Sequence, residues 1–328
     1  MPRKPVGNTF LERAELPAFF GESCLTGRLC QPDQERVRAR IPQVHYTHPH
    51  GELWLGDCQR WLESLEPASV DLVFADPPYN LGKADWDRFE DHDSYIEWSV
   101  RWIEAASRIL KPSGSLYVCG FSEILADIRR PAASFFNGCK WLVWFYKNKA
   151  NLRNDWGRSH ESILHLRKNK KVVFNVDDVR IPYGNHTLKY PVHPQAESSQ
   201  YAKGRKRTKK RAWAPHPNGA KPKDVFEIPV TSNGMREKTP HPTQKPEELL
   251  RKVIAASSNP GDLVVDPFSG SGTTCVCAEQ LGRRWMGCEI NTEYNSWAAI
   301  RLESVPRRTS MEWLELDRAT AKRRDSIR

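Results

Sequence analysis

The sequence predicts an α/β protein with one mostly parallel sheet, helices on both of its faces, and an inserted basic module. Two observations lead to this prediction. Strand-like and helix-like segments alternate before residue 176 and again after residue 240, whereas hydrophobic periodicity fades between them. A buried-looking strand at 262–267 also runs straight into a glycine-rich turn and a helix, which is typical of the first βα unit of a nucleotide-binding sheet.

The individual elements follow from local patterns along the chain. Alternating or continuous apolar runs predict strands at 53–57, 70–76, 115–121, 141–147, 162–168, 262–267 and 284–290. Apolar residues at helical spacing predict helices at 94–110, at 246–257, from the glycine turn to about 282, and at 292–304. Residues 1–50 are proline-rich, charged and weakly periodic, so regular structure is expected from about Leu53, and the end at 317–328 is expected to fray.

Composition bounds the function. Fifty Lys and Arg against forty Asp and Glu give a net charge of +10 and favour an acidic partner, most simply nucleic acid. Eight cysteines form no CxxC pair, which indicates reduced thiols of an intracellular protein. Cys275 and Cys277 are expected to pack inside a helix, and no metal is predicted. No apolar segment approaches 18 residues, so neither secretion nor membrane insertion is expected.

Two short stretches carry chemistry. "FADPPYN" at 74–80 ends a strand abruptly, because Pro77 and Pro78 donate no N–H, and it suits a rigid functional loop or a plain turn. "DLVVDPFSGSGTT" at 262–274 has glycines where a backbone must approach a ligand, but no third glycine of the dinucleotide fingerprint and no P-loop GK[ST]. A nucleoside cofactor without a pyrophosphate fits this turn, and a tight turn beside a solvated acid is the alternative.

"DPPYN" followed by "DPFSGSGTT" resembles the S-adenosylmethionine-dependent amino-methyltransferases of DNA, in their circularly permuted β group. "LGD" at 55–57, "DVFEIP" at 224–229 and "HPTQKPEELL" at 241–250 extend the resemblance over about residues 51–305. It implies a Rossmann-like methyltransferase fold. The implied division is an N-terminal extension (1–50), a catalytic half (51–175), a target-recognition insertion (176–240), a cofactor-binding half (241–305) and a basic C-terminal tail (306–328).

The resemblance implies methyl transfer to adenine N6 in duplex DNA after base flipping. An exocyclic amine is a poor nucleophile because its lone pair is delocalised into the ring. In this interpretation the Asp76 carboxylate and the Pro77 carbonyl accept the amine hydrogens, Pro78 keeps the loop rigid, and Tyr79 stacks on the base. These four residues are the predicted catalytic set.

The implied cofactor is S-adenosylmethionine. Glu289 would take the ribose, Lys245 would contact the methionine carboxylate or be a solvated lysine, and Asp57 would also lie near the target base or cap a helix. Thr273 and Thr274 stand at a helix N-terminus, which favours an anionic carboxylate. The full predicted cofactor set is Asp57, Thr243, Lys245, Asp266, Pro267, Phe268, Gly270, Ser271, Gly272, Thr273, Thr274 and Glu289.

The middle of the chain supplies a means to hold DNA. Residues 201–224 contain nine Lys or Arg against one acid, which suits phosphate neutralisation, and a solvated loop or localisation tract is the alternative. Residues 145–160 form a second basic and aromatic stretch expected to line the DNA cleft. The predicted DNA-binding residues are Lys203, Arg205, Lys206, Arg207, Lys209, Lys210 and Arg211.

Other functions fit less well. A cytosine-C5 methyltransferase needs a Pro-Cys nucleophile and a zinc deaminase a PCxxC pair, and the chain has neither. A dehydrogenase would not explain "DPPYN". Cytosine-N4 methylation is the close rival, although serine commonly replaces Asp76 in that group, and a non-catalytic DNA-binding protein is the alternative of another class. The expected partners are duplex DNA, a cognate restriction endonuclease and a second copy of the chain. The expected location is the bacterial cytoplasm, for a protein encoded by a bacterium or a phage.

Overall fold

In a computed structural model, residues 41–80, 89–146, 154, 156–190, 214–303 and 305–326 are described. Nine strands in these ranges form one sheet. They are β1 Gln43–His48, β2 Gly51–Leu55, β3 Val70–Ala75, β4 Leu110–Gly120, β5 Gly138–Phe145, β6 His160–Arg167, β7 Val225–Glu227, β8 Leu263–Asp266 and β9 Arg284–Glu289.

The helices of the described ranges alternate with these strands. They are α1 Cys58–Ser64, α2 His92–Ile109, α3 Ser122–Ala132, α4 Asn185–Lys189, α5 Glu247–Ser257, α6 Thr273–Gln280, α7 Thr292–Leu302 and α8 Ser310–Ser326, with short 3₁₀ turns at Ala133–Phe135 and Val176–Val179.

The sheet order places the two halves of the chain side by side. The order is β1-β2-β9-β8-β3-β4-β6-β5-β7, and β3 pairs in parallel with both β8 and β4. The chain leaves β8 towards β9 on one side and leaves β3 towards β4 on the other. The sheet therefore has a topological switch point between β8 and β3, and ligands of open α/β sheets bind outside the carboxyl ends of the strands at such a point. The predicted fold class, an α/β protein with one mostly parallel sheet and helices on both faces, is confirmed.

Both faces of the sheet are covered. Along β3, Leu72 and Phe74 pack into the core that includes α5, α6 and α7, whereas Val70 and Val73 pack into the core beneath α1, α2 and α3. All six residues of β3 are buried, because a central parallel strand has helices on both sides. This packing holds the strand ends that present the site.

Three expectations about where regular structure begins and ends are wrong. Regular structure begins before Leu53, because β1 pairs antiparallel with β2 and forms one edge of the sheet. β4 begins at Leu110 rather than at residue 115, since Leu110 pairs with Val70 before a register shift. Residues 317–326 are not frayed: they lie in α8, which buries Leu314 at 6% exposure and places Asp317 Oδ1 2.6 Å from Arg251 Nη2. The five-segment division of the chain stays a prediction.

The described cysteines form no disulfide. Cys58, Cys119, Cys275, Cys277 and Cys288 are free and buried. Within the described ranges, no helix combines the length and the apolar character needed to cross a membrane.

Candidate active site

A cavity of about 290 Å³ opens at the carboxyl ends of β3 and β8. Its wall combines residues from both halves of the chain, as a site at the switch point requires. Eleven predicted residues line it: Asp57, Asp76, Pro77, Pro78, Tyr79, Thr243, Lys245, Pro267, Phe268, Gly270 and Glu289. A small neighbouring cavity of about 30 Å³ is lined by Asp266, Ser271, Thr273 and Thr274, together with Asp76 and Lys245.

The loop after β3 is fixed before any ligand arrives. The Pro78 carbonyl accepts a hydrogen bond from the Tyr95 hydroxyl at 2.7 Å. Asn80 has a positive φ of 55°, and its side-chain oxygen accepts from the Phe89 backbone N–H at 3.2 Å. Together with the two prolines, these contacts hold the strand exit in one conformation.

The Asp76 carboxylate has two donors on two different oxygens. Tyr79 Oη donates to Oδ1 at 2.7 Å, and Lys245 Nζ donates to Oδ2 at 2.6 Å. Burial raises the pKa of Asp76, and the Lys245 ammonium counteracts part of that rise. Each carboxylate oxygen keeps a further lone pair, so Asp76 can still accept a proton donor from the cavity.

Lys245 is not a solvated lysine. Its side chain is 8% exposed, and Nζ lies 3.4 Å from Glu161 Oε2 in addition to its contact with Asp76. Burial alone would lower the pKa of Lys245, but Asp76 and Glu161 raise it above its ordinary value, so the ammonium stays charged. Contact with a cofactor carboxylate stays a prediction for this residue.

Sequence reasoning missed Glu161. This residue is 7% exposed and lines the cavity, and its Oε2 accepts from Tyr79 Oη at 3.1 Å. Because β6 runs antiparallel to β4, the start of β6 lies level with the end of β4, where Gly120 pairs with Ser162. The sequence signal for Glu161 is an acid at the second position of the largely apolar strand "HESILHLR".

The glycine turn brings its backbone to the cavity wall. Gly270 has φ +50°, and a Cβ there would lie 3.0 Å from His241 Nε2. The Gly270 N–H donates to Glu289 Oε2 at 2.8 Å, and the Asn291 N–H donates to Glu289 Oε1 at 2.9 Å. Burial raises the pKa of Glu289 to about 6. A nucleoside hydroxyl can donate to the remaining lone pairs of this carboxylate, so the residues present fit the implied cofactor.

The structure shows a need for glycine at residue 272 that the sequence does not indicate. Gly272 lines neither cavity. Its φ is +75°, and a Cβ would lie 2.5 Å from the Ala298 Cβ. The residue therefore allows close approach of the turn to α7, and its contact with the cofactor stays a prediction.

Two predicted acids also serve the local fold. Asp57 caps α1, since Oδ1 accepts from the N–H groups of Gln59 and Arg60 at 3.1 and 3.0 Å, and the residue also lies on the cavity wall. Asp266 accepts from the Phe268 N–H and the Thr274 hydroxyl, and burial raises its pKa to about 7. These bonds shape the turn, and a cofactor contact of either acid stays a prediction.

The comparisons with known proteins decide the family. A sequence model of the family described as "DNA methylase", N6_N4_Mtase, matches residues 70–300. The chain belongs to this DNA methylase family. It is 36% identical over 262 residues to "Type II methyltransferase M1.MboII" of Moraxella bovis, covering 76% of this chain and 95% of that protein. It is 34% identical to "DNA adenine methyltransferase YhdJ" of Escherichia coli K12, covering 76% and 81%.

Solved structures show the same fold as this methylase. The cytosine-N4-specific PvuII DNA methyltransferase superposes with a TM-score of 0.60 at 20% identity, covering 80% of this chain and 89% of that chain. A complex of M1.HpyAVI with SAM superposes with a TM-score of 0.51 at 23% identity, covering 77% and 100%.

The structure describes only part of the segments that are predicted to contact DNA. The basic residues from Lys203 to Arg211 lie outside the described residues of the methylase. Of the stretch 145–160, Arg158 lies 3.7 Å above the centre of the Phe121 ring and 2.7 Å from Glu123. Phe121 in turn packs edge-on against Tyr79, with ring centres 5.1 Å apart. This chain of contacts connects the cavity with the 145–160 stretch, and DNA binding by that stretch stays a prediction.

A histidine and glutamate group lies at the opposite end of the sheet. His48 Nδ1 and His50 Nδ1 are 3.7 and 3.3 Å from the Glu279 carboxylate. That carboxylate already accepts from Arg307 at 2.8 Å and from Trp285 Nε1 at 2.9 Å. Because a guanidinium already neutralises Glu279, we assign no metal to this group.

Proposed function

We propose that this methylase transfers a methyl group from S-adenosylmethionine to N6 of adenine in duplex DNA. The observation that carries the proposal is the half-buried Asp76 carboxylate, fixed by Tyr79 and Lys245 in the same cavity as Glu289 and Gly270. The acid before the two prolines and the name of the adenine-directed relative YhdJ favour adenine over cytosine.

The geometry of Asp76 explains how the amine becomes a nucleophile. Each oxygen of the carboxylate already accepts one hydrogen bond and has lone pairs left for an amine hydrogen. An amine that donates to Asp76 and to the Pro77 carbonyl becomes pyramidal, and its lone pair then points away from both acceptors. Since the loop is held by Tyr95 and the prolines, these acceptors need not reorganise. S-adenosylmethionine supplies the electrophilic methyl group when bound.

Base flipping is part of the proposal, because an amine inside a duplex cannot reach a carboxylate that lies in a cavity. Removing a base from the stack costs a few kcal/mol. Aromatic side chains offset part of that cost by stacking. Tyr79, Phe89, Trp98 and Trp144 line the cavity and supply such surfaces.

The reaction product tests the proposal. The purified protein is incubated with labelled S-adenosylmethionine and duplex DNA of varied sequence, and the DNA is digested to nucleosides for mass spectrometry. We expect label in N6-methyladenine. Label in N4-methylcytosine alone would show that the target base is wrong, and DNA without label, with the cofactor bound, would favour the non-catalytic DNA-binding alternative.

Cofactor affinity is expected to fall as the pH drops through about 6. Glu289 accepts ribose hydroxyls as a carboxylate, and its pKa in the folded protein is about 6. This pKa lies above the ordinary value of 4.5, so protonation of Glu289 between pH 4.5 and about 6 stabilises the folded chain. The loss of cofactor affinity is therefore not caused by unfolding when Glu289 is protonated. Calorimetric titrations from pH 5 to pH 8 measure the effect. Glu289→Gln should bind weakly at every pH, and a wild-type affinity that is constant over this range would contradict the role of Glu289.

DNA affinity is expected to depend on the basic run. Neutralising Lys206, Arg207, Lys209, Lys210 and Arg211 together should weaken binding and flatten the log–log salt dependence by up to about 0.9 per lost phosphate contact. The measurement is a salt titration of DNA binding, with a cofactor titration of the same variant as the control. An unchanged slope would place the run outside the DNA footprint and leave residues 145–160 as the stronger candidate.

The biological setting belongs to the same proposal. A Type II relative in Moraxella bovis supports a restriction-modification role with a cognate endonuclease, in the cytoplasm of a bacterium or of a phage-infected cell. We also propose a homodimer, which sedimentation of the purified chain with and without DNA tests.

A further inference from the structure

The cavity wall contains a buried carboxylate, that of Glu161, which the proposed reaction does not use. Glu161 is 7% exposed and shares both partners of Asp76. Tyr79 Oη lies 2.7 Å from Asp76 Oδ1 and 3.1 Å from Glu161 Oε2. Lys245 Nζ lies 2.6 Å from Asp76 Oδ2 and 3.4 Å from Glu161 Oε2. We call Asp76, Tyr79, Glu161 and Lys245 the acid cluster.

The acid cluster has an excess of negative charge. Two carboxylates face one ammonium, so among its described side chains the cluster carries −1 when all three are ionised. Burying a carboxylate without a full counter-charge is costly. Asp76 and Lys245 would form a neutral pair without Glu161, so stability does not require the second acid. A cavity lined by one sign of charge attracts ligands of the opposite sign, so this excess of negative charge favours a cationic ligand.

The other acids of the cavity, which include Asp57 on its wall, do not offset this excess of negative charge. Glu289 lies at the cofactor turn, where two backbone N–H groups hold its carboxylate. Asp266 faces the small cavity, and its pKa is near 7. Both would add negative charge. His241 lies on the cavity wall, and burial lowers its pKa to about 4, so it is neutral at pH 7.

We propose that Glu161 supplies the charge by which this site distinguishes the sulfonium cation of S-adenosylmethionine from the neutral thioether left after methyl transfer. The inference rests on the proposed function. In the reaction the sulfur–methyl bond breaks with its electron pair staying on sulfur, the amine nitrogen forms the new bond to carbon, and one amine proton leaves to solvent. The positive charge thus leaves the cofactor, and the acid cluster then holds the thioether more weakly than the substrate.

Glu161 is therefore a specificity-determining residue for cofactor charge, rather than a group that acts on the target base. A merely structural Glu161 would position Lys245 and Tyr79, and its loss would weaken both cofactor forms alike. The ratio of the two affinities separates these roles. A unit charge within about 12 Å gives at least a tenfold difference at an effective dielectric constant of about 20.

The test is a calorimetric titration of Glu161→Gln with S-adenosylmethionine and with S-adenosylhomocysteine at pH 7.5. Glutamine keeps the size of the side chain and an oxygen acceptor for Tyr79. We expect the affinity for the cation to fall about tenfold and that for the thioether to change less than twofold. Equal losses, or no change in either, would overturn the proposal. Glu279→Gln, a buried glutamate at the other end of the sheet, is the control and should leave the ratio as in wild type.

Lys245→Met tests the same charge in the opposite direction. The change makes the acid cluster more negative, so the preference for the cation over the thioether should increase. Both ligands carry the methionine carboxylate that Lys245 is predicted to contact, so the loss of that contact affects both alike. A lower preference would overturn the proposal, and this variant also decides the question if Glu161→Gln does not fold. If the wild-type protein binds neither ligand, the proposed function itself fails. If it binds both and neither variant shifts the ratio, only the role of Glu161 fails.

Discussion

Asp76→Ala should lower the rate of methyl transfer at saturating cofactor by roughly 10³-fold or more. Removing one preorganised partner from a reacting group costs about 10²–10³ in rate. Here the carboxylate also orients the amine, so the loss should lie at the upper end of that range or beyond. The measurement is single-turnover methylation of duplex DNA with labelled cofactor.

The fold should survive this change, because Lys245 keeps Glu161 as a counter-ion 3.4 Å away. Affinity for S-adenosylhomocysteine should stay within a few-fold of wild type. Asp76→Asn is the matched variant: it keeps the shape of the side chain, loses the charge, and should lie between Asp76→Ala and wild type. Full activity of either variant would remove Asp76 from the chemistry, and an unfolded Asp76→Ala would indicate a structural role.

Gly272→Val should destabilise the protein and lower its Tm by roughly 10 °C. A side chain at φ +75° costs about 1–2 kcal/mol. A Cβ 2.5 Å from the Ala298 Cβ forces α7 to shift, and such overpacking costs about 1–3 kcal/mol. For a domain of 150–250 residues, each kcal/mol lowers Tm by about 2–4 °C. Thermal unfolding followed by circular dichroism measures the change.

Gly282→Val is the matched control for Gly272→Val. Gly282 has a similar φ of +71°, but a Cβ there has nothing within 4 Å. It should therefore lose only the part that comes from backbone strain. If both variants lose the same Tm, contact with α7 is not the cause. If Gly272→Val keeps its Tm but loses cofactor affinity, the glycine serves the ligand after all.

The sheet could be predicted from the sequence because its central strands are simple signals. Val70–Ala75, which Asp76 follows, and Leu263–Asp266 are short and mostly apolar runs, and parallel strands buried on both faces need such runs. β1 could not be predicted in the same way. It is an edge strand, and most of its residues are exposed, so its hydrophobic pattern is weak.

The part of the site that a single sequence motif forms could be predicted from the sequence. The loop from Asp76 to Tyr79 lies on the cavity because the strand before it ends there. Glu161 was not predictable in this way, since its place beside Lys245 depends on an antiparallel strand that returns to the same edge of the sheet. For Gly272, the contact with Ala298 joins residues far apart in the chain, which local spacing does not reveal.

Methylation of adenine in DNA by this chain, and its dependence on Asp76, can be read directly from a methylome. The wild-type chain and Asp76→Ala are expressed separately in a bacterial host that lacks DNA methylation of its own, and the genomic DNA is sequenced by a method that reads modified bases. We expect N6-methyladenine at one recognition sequence with the wild-type chain, and none with Asp76→Ala. N4-methylcytosine in place of N6-methyladenine, or the same methylated sites with both proteins, would contradict this expectation.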